Sequence, residues 1–151
     1  MLDPSNAIRN LLYLYTERFD LGDLSGAAEL FRHARIITGD QGDSIDAEAL
    51  LALWKKHVIL YQETGTPRTK HQCTNAIVEL DEGGLTASAR SYYVVYQQTD
   101  SLPLQPIVAG RYLDRFECID GEWRFSERDY RLMEMLGNTS QHLHGSVTDR
   151  K

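Results

Sequence analysis

Cysteine is nearly missing from this chain: its 151 residues include two, Cys73 and Cys118. Both fall in strand-like segments, so they form neither a disulfide framework nor a paired-cysteine metal motif, and both are expected to be reduced. Long apolar runs are missing as well. No stretch approaches the roughly 18 apolar residues of a membrane span, and the opening Met-Leu-Asp-Pro-Ser-Asn has no basic segment followed by an apolar one. A cytoplasmic protein that does not engage membranes is the expectation. Positive charge is scarce: 16 Lys and Arg against 22 Asp and Glu leave a net charge of −6. Nucleic acid is therefore not expected as a partner, because its binding relies on a basic surface that neutralises phosphates. The cluster Arg32, His33 and Arg35 is too small to reverse that. There is no Walker loop, dinucleotide fingerprint or zinc motif, so neither a cofactor nor a metal is expected. His142 and His144 have the spacing of a strand metal pair, but they lack a third ligand and sit in a weakly patterned region, where solvation is the expected state.

What is present describes an ordinary globular domain. Apolar residues make up 42% and charged residues 25% of the chain, close to the average for such proteins. Its length suits one core. Asp3 before Pro4 reads as a helix start, since the carboxylate can cap free amides and proline suits the first turn. Ile8, Leu11, Leu12, Tyr15 and Phe19 then recur at spacings of three and four, one face of a helix that ends near Asp20 to Gly22. Asp23 caps a second, short helix, Arg35 to Thr38 reads as a short strand, and a third helix is expected from about Asp46 to Tyr61 with Leu50, Trp54, His57 and Val58 on its stripe.

From Lys70 onward the period changes from helical to alternating. Four strands are expected, at about 70–80, 85–98, 105–118 and 122–131. Asp120-Gly121 is a strong two-residue hairpin signal, because both positions need positive φ. With that turn, Cys118 opposes Trp123, Phe116 opposes Phe125 and Glu117 opposes Arg124. Asp81 to Gly84 turns the preceding pair; if Leu80 meets Leu85, His71 meets Val94, and Tyr92 and Tyr96 share its face. A bulge or a one-residue slip would exchange the faces, so Tyr92 and Tyr93 stay unranked. Helices followed by a mainly antiparallel sheet give an α+β fold. One domain is expected over 1–135, with 136–151 as a C-terminal tail or flap, and the sheet edges favour self-association as a homodimer or homotrimer.

Three pieces of sequence resemble the SnoaL-like branch of the NTF2-like superfamily: Tyr15-Thr-Glu-Arg-Phe-Asp-Leu-Gly-Asp23, Lys70-His71 with Asn75, and the hairpin from Gly110-Arg-Tyr112 to Gly121-Glu-Trp-Arg-Phe125. The resemblance implies a cone in which a curved sheet wraps the helices around a pocket. The superfamily includes scytalone dehydratase, hexachlorocyclohexane dehydrochlorinase, bile acid dehydratase and ketosteroid isomerase. Its dehydratase and dehydrochlorinase members carry an aspartate at the end of the first helix and a histidine on the first long strand, positions held here by Asp20 and His71. Tyr15 fits the tyrosine of the bile acid enzyme.

The implied chemistry is cofactor-free. Histidine titrates near neutral pH without extensive tuning, so His71 is the candidate base. Asp20 would fix its tautomer, and Tyr15 would polarise a carbonyl or assist a leaving hydroxyl. Asn75, Tyr92, Trp54 and Tyr112 are the candidate substrate contacts, suited to a small hydrophobic or aromatic molecule of polyketide or steroid type. A second reading keeps the same cone as a non-catalytic ligand-binding or assembly module. Arg111, Arg115 and Arg128 are expected to face solvent or pair with acidic neighbours.

Overall fold

The computed structural model describes residues 2–145. The first helix, α1, runs Pro4–Asp20, and the Asp3 carboxylate accepts the Asn6 N–H at 3.2 Å. A short α2 spans Leu24–Glu29 behind its Asp23 cap. Two small strands follow, β1 (Arg35–Ile37) and β2 (Ser44–Ile45), and then α3 (Ala47–His57). The expected α3 is longer than the observed one. It stops at His57 because Val58 turns extended and the next N–H, that of Ile59, goes to the His142 carbonyl at 2.9 Å. A partner distant in sequence has outcompeted one more helical turn.

The remaining strands are β3 (Thr69–Leu80), β4 (Thr86–Gln97), β5 (Gln105–Ile119), β6 (Glu122–Asp129) and β7 (Met133–Leu136). They complete a seven-stranded curved sheet in the order β2-β1-β6-β5-β4-β3, with β7 paired to β5. Among the described residues, only β1 and β6 run parallel. Helix α1 lies in the hollow of the sheet and buries Ile8, Leu12, Tyr15 and Phe19 against it. Among the described residues, no helix is long and apolar enough to cross a membrane.

The β5–β6 hairpin has the expected register. Asp120 and Gly121 adopt φ of 51° and 82°, and Phe116 meets Phe125, Glu117 meets Arg124 and Cys118 meets Trp123. The β3–β4 register differs from the expectation. Leu80 pairs with Ala87 and His71 with Val95, and a bulge between Thr74 and Ile77 holds Asn75 at φ 42°. Asparagine tolerates this left-handed conformation better than most residues. The bulge changes the parity of the alternation, so His71 and Cys73 share the inner face with Ala76 and Val78, opposite Tyr93 and Val95.

The C-terminal region also differs from the expected tail. Leu136 ends β7, and 137–145 fold back on the body: Gly137 N–H donates to Ile107 O, His144 N–H to His57 O, and Leu143 bridges to Val58. Of the expected tail, 146–151 lie outside the described residues.

Candidate active site

A carboxylate at the C-terminal end of a helix faces the negative end of the helix dipole and needs compensation. Asp20, the last residue of α1, receives it from β3. Its Oδ2 accepts the His71 backbone N–H at 2.7 Å, and its Oδ1 accepts the Thr69 hydroxyl at 2.8 Å. The same Oδ1 lies 2.6 Å from Nδ1 of the His71 ring. The side chains of His71 and Asp20 are 6% and 8% exposed. A carboxylate only accepts, so this contact puts the imidazole proton on Nδ1 and leaves Nε2 with a free lone pair.

His71 lines a cavity of about 230 Å³, whose wall includes Tyr15, Phe19, Trp54, Tyr93, Tyr112 and Tyr130. The Phe19 ring sits 5.0 Å from the imidazole and Tyr15 6.3 Å from it, both edge-to-face. Apolar surface around a charged-capable pair excludes water and strengthens the electrostatics inside.

Away from His71 the wall is phenolic. The Tyr15 hydroxyl interacts with those of Tyr112 and Tyr130, and Trp54 donates its indole N–H to Tyr130 at 3.2 Å. Tyr93 stacks on Tyr112 with ring centroids 4.2 Å apart. That stack has room because position 110 is glycine: a Cβ there would come within 2.0 Å of the Leu132 carbonyl and 3.0 Å of the Tyr93 ring. Burial raises the pKa of Tyr15 and of Tyr112 well above the ordinary phenol value, so both stay protonated and can donate.

Behind these rings lies Arg128, fully buried and paired with Asp114 through contacts of 2.7 and 3.0 Å. Its guanidinium stacks on Tyr112 at 3.8 Å and on Tyr15 at 4.5 Å. Burial alone would weaken the charge, but the Asp114 carboxylate beside it prevails and holds Arg128 protonated. The expected pairing with an acidic neighbour is therefore present, in the interior beneath the tyrosines.

The structure brings His71, Tyr15, Trp54 and Tyr112 to one cavity, with Asp20 joined to it through His71. It does not bring Asn75 or Tyr92 there, which corrects both expectations. Asn75 occupies the exposed bulge and its side chain bonds Thr74, while Tyr92 is 57% exposed on the outer face of the sheet. Tyr93 takes the inner position in line with Ala87, Ala89 and Val95 of β4, and the bulge in β3 brings His71 to the same face. Tyr130 and His142 are cavity residues that the pattern did not single out. His142, expected to be solvated, is 6% exposed, whereas His144 is exposed. Burial, followed by the nearby His71, pushes the His142 pKa down to about 4, so it is neutral at pH 7.

A curved α+β sheet wrapped round its first helix, with an aspartate–histidine pair in the wall of an aromatic cavity, defines the class. The chain belongs to the SnoaL-like domain family, whose profile matches residues 1–129. Solved structures agree. An aspartate-to-asparagine variant of a protein of unknown function from Mycobacterium tuberculosis aligns with TM-score 0.66 and 24% identity over 96% of this chain and 78% of its own. An NTF2-like protein with a cystatin-like fold from Novosphingobium aromaticivorans gives 0.67 and 21% over 91% and 85%. A candidate scytalone dehydratase from the same organism gives 0.63 and 19% over 85% and 83%. At these identities the likeness speaks for the fold. Curated proteins give no match.

Proposed function

We propose that the protein is a cofactor-independent lyase or isomerase acting on a small, oxygenated, partly aromatic compound. The observation that carries this reading is the 2.6 Å contact between Asp20 and His71, the latter lining an aromatic cavity. Nε2 of His71 takes a proton from a carbon next to a carbonyl, and the electron pair moves to the carbonyl oxygen. Tyr15, supported by Tyr112 and Tyr130, donates to that oxygen, while Asp20 stabilises the imidazolium. Return of the proton to another carbon completes an isomerisation. Its delivery to a departing hydroxyl, which leaves as water, completes a dehydration.

The test is turnover of a panel of hydroxy-ketones, steroids and polyketide-like aromatics. On any substrate the native protein converts, His71→Asn is expected to lose about 10² to 10⁴ in kcat, the usual contribution of a placed acid–base group. Undiminished turnover by that variant would sink the reading.

The outer sheet face supports a homodimer or homotrimer. Tyr92, Leu113 and Met135 expose apolar surface there at 57%, 40% and 70%. Sedimentation should show an oligomer that Tyr92→Glu dissociates.

A further inference from the structure

His142 reaches the cavity on a segment pinned along its length. The Gln97 amide and the Tyr61 hydroxyl both donate to the Gln141 carbonyl, the His142 carbonyl accepts the Ile59 N–H, and Leu143 bridges to Val58. These bonds hold the imidazole 6.1 Å from the Phe19 ring, which also neighbours His71 at 5.0 Å. The two histidines therefore flank one phenylalanine in the same cavity wall.

Nδ1 of His142 is buried and, among the described residues, has no hydrogen-bond partner. Leaving a buried polar nitrogen unpaired costs about 1–3 kcal/mol. Packing does not require that cost, since phenylalanine or leucine would fill an apolar wall without it. The main-chain bonds that pin the segment do not use the imidazole either. The ring lines the cavity and, among the described residues, its side chain makes no hydrogen bond, so a ligand hydroxyl there meets an imidazole that nothing else satisfies.

We propose that His142 is a substrate-binding residue, which hydrogen-bonds a hydroxyl of an aromatic ligand at the His71 end of the cavity. A hydroxyl suits the site because it both donates and accepts, and so serves either tautomer of a neutral imidazole. The environments of the two histidines divide their roles. His71 keeps a carboxylate to stabilise its charged form, whereas His142 lies in apolar surroundings that keep it neutral. His142 therefore reads the ligand without competing for the proton. The inference rests on the cavity being the substrate site, but it does not require turnover.

The experiment uses a probe pair of nearly equal shape, 2-naphthol and 2-methylnaphthalene, measured by equilibrium dialysis against the full-length native protein, His142→Phe, His142→Gln and His71→Asn. The native protein should prefer the naphthol by about tenfold. His142→Phe should abolish most of that preference while binding 2-methylnaphthalene within about twofold of native, and His142→Gln should restore part of it. A preference unchanged in His142→Phe, or no saturable binding of 2-naphthol by the native protein, would overturn the proposal. A second readout avoids mutation: the His142 imidazole nitrogen signals of the native protein, followed by NMR, should shift on adding 2-naphthol and not on adding 2-methylnaphthalene. Equal shifts with both count against it. His71→Asn separates the two readings. If it turns over substrate as fast as the native protein while the naphthol preference still depends on His142, the catalytic reading falls and this one stands.

Discussion

The cavity has two ends built on opposite electrostatic plans. At one end two imidazoles, His71 backed by the Asp20 carboxylate and His142, line the wall. At the other, Tyr15 and Tyr112 are locked neutral by burial and Arg128 is locked positive by Asp114. A proton can move at the histidine end, and charge developing nearby can be stabilised at the tyrosine end without any group there ionising. The difference separates acid–base chemistry from electrostatic support, and each end can be broken separately.

The largest effect on stability is expected at the locked end. Asp114→Ala leaves Arg128 charged, fully buried and without its partner, and removing one member of a buried pair costs about 3–5 kcal/mol. Urea denaturation should show this loss. Replacing the pair together, by Asp114→Leu with Arg128→Met, should recover much of it. If the single variant loses under 1 kcal/mol, the charge at that end is not locked.

The histidine end should reveal itself by pH. In the unfolded chain His142 titrates near its ordinary 6.5, and in the folded protein near 4. Between these values the unfolded state binds more protons, so stability is fully present above about 6.5 and falls with pH until about 4, by up to about 3 kcal/mol. Asp20 and His71 face this group, so the native protein is compared with a variant that keeps both. The measurement is therefore the stability of the native protein minus that of His142→Phe across pH 4 to 7, which should fall steadily toward acid. A constant difference would mean that His142 is not buried neutral.

These two ends were not equally readable from the chain. The hairpin that carries Tyr112 and Arg128 declares its register locally, through Asp120-Gly121 and the Phe116–Phe125 pair that follows from it. Which way Arg128 points was not readable, because its partner Asp114 lies across the hairpin in a core that only the closed sheet creates. The contact of Asp20 with His71 spans 51 positions and came from family resemblance, since no spacing pattern encodes it. His142 had no local signal of burial, since its spacing with His144 pointed only to a solvated pair. Its burial depends on the end of α3 yielding a backbone N–H to the returning segment, a competition between tertiary pairing and helix propensity that a sequence window does not see.

A smaller effect tests the division of roles. Tyr15→Phe removes one donor from the stabilising end and leaves the aromatic packing, so kcat on any converted substrate should drop about tenfold, with KM and the urea midpoint nearly unchanged. A loss as large as that of His71→Asn would place proton transfer at the phenol as well.

The smallest effect tests why His71 shares a face with Tyr93 and not with Tyr92. If the bulge at Asn75 sets that choice, its residue needs only to tolerate a φ of 42°, and the amide side chain has no part in binding. Asn75→Gly should then change stability by no more than a few tenths of a kcal/mol and leave ligand binding intact. Asn75→Val, β-branched and ill-suited to the left-handed region, should cost about 1–2 kcal/mol. It leaves two ways to relieve the strain: the bulge persists at that cost, or β3 slips and turns His71 outward. The second outcome would take His71 out of the cavity wall and weaken 2-naphthol binding, so dialysis of this variant reads the register of a strand through the contents of the cavity it lines.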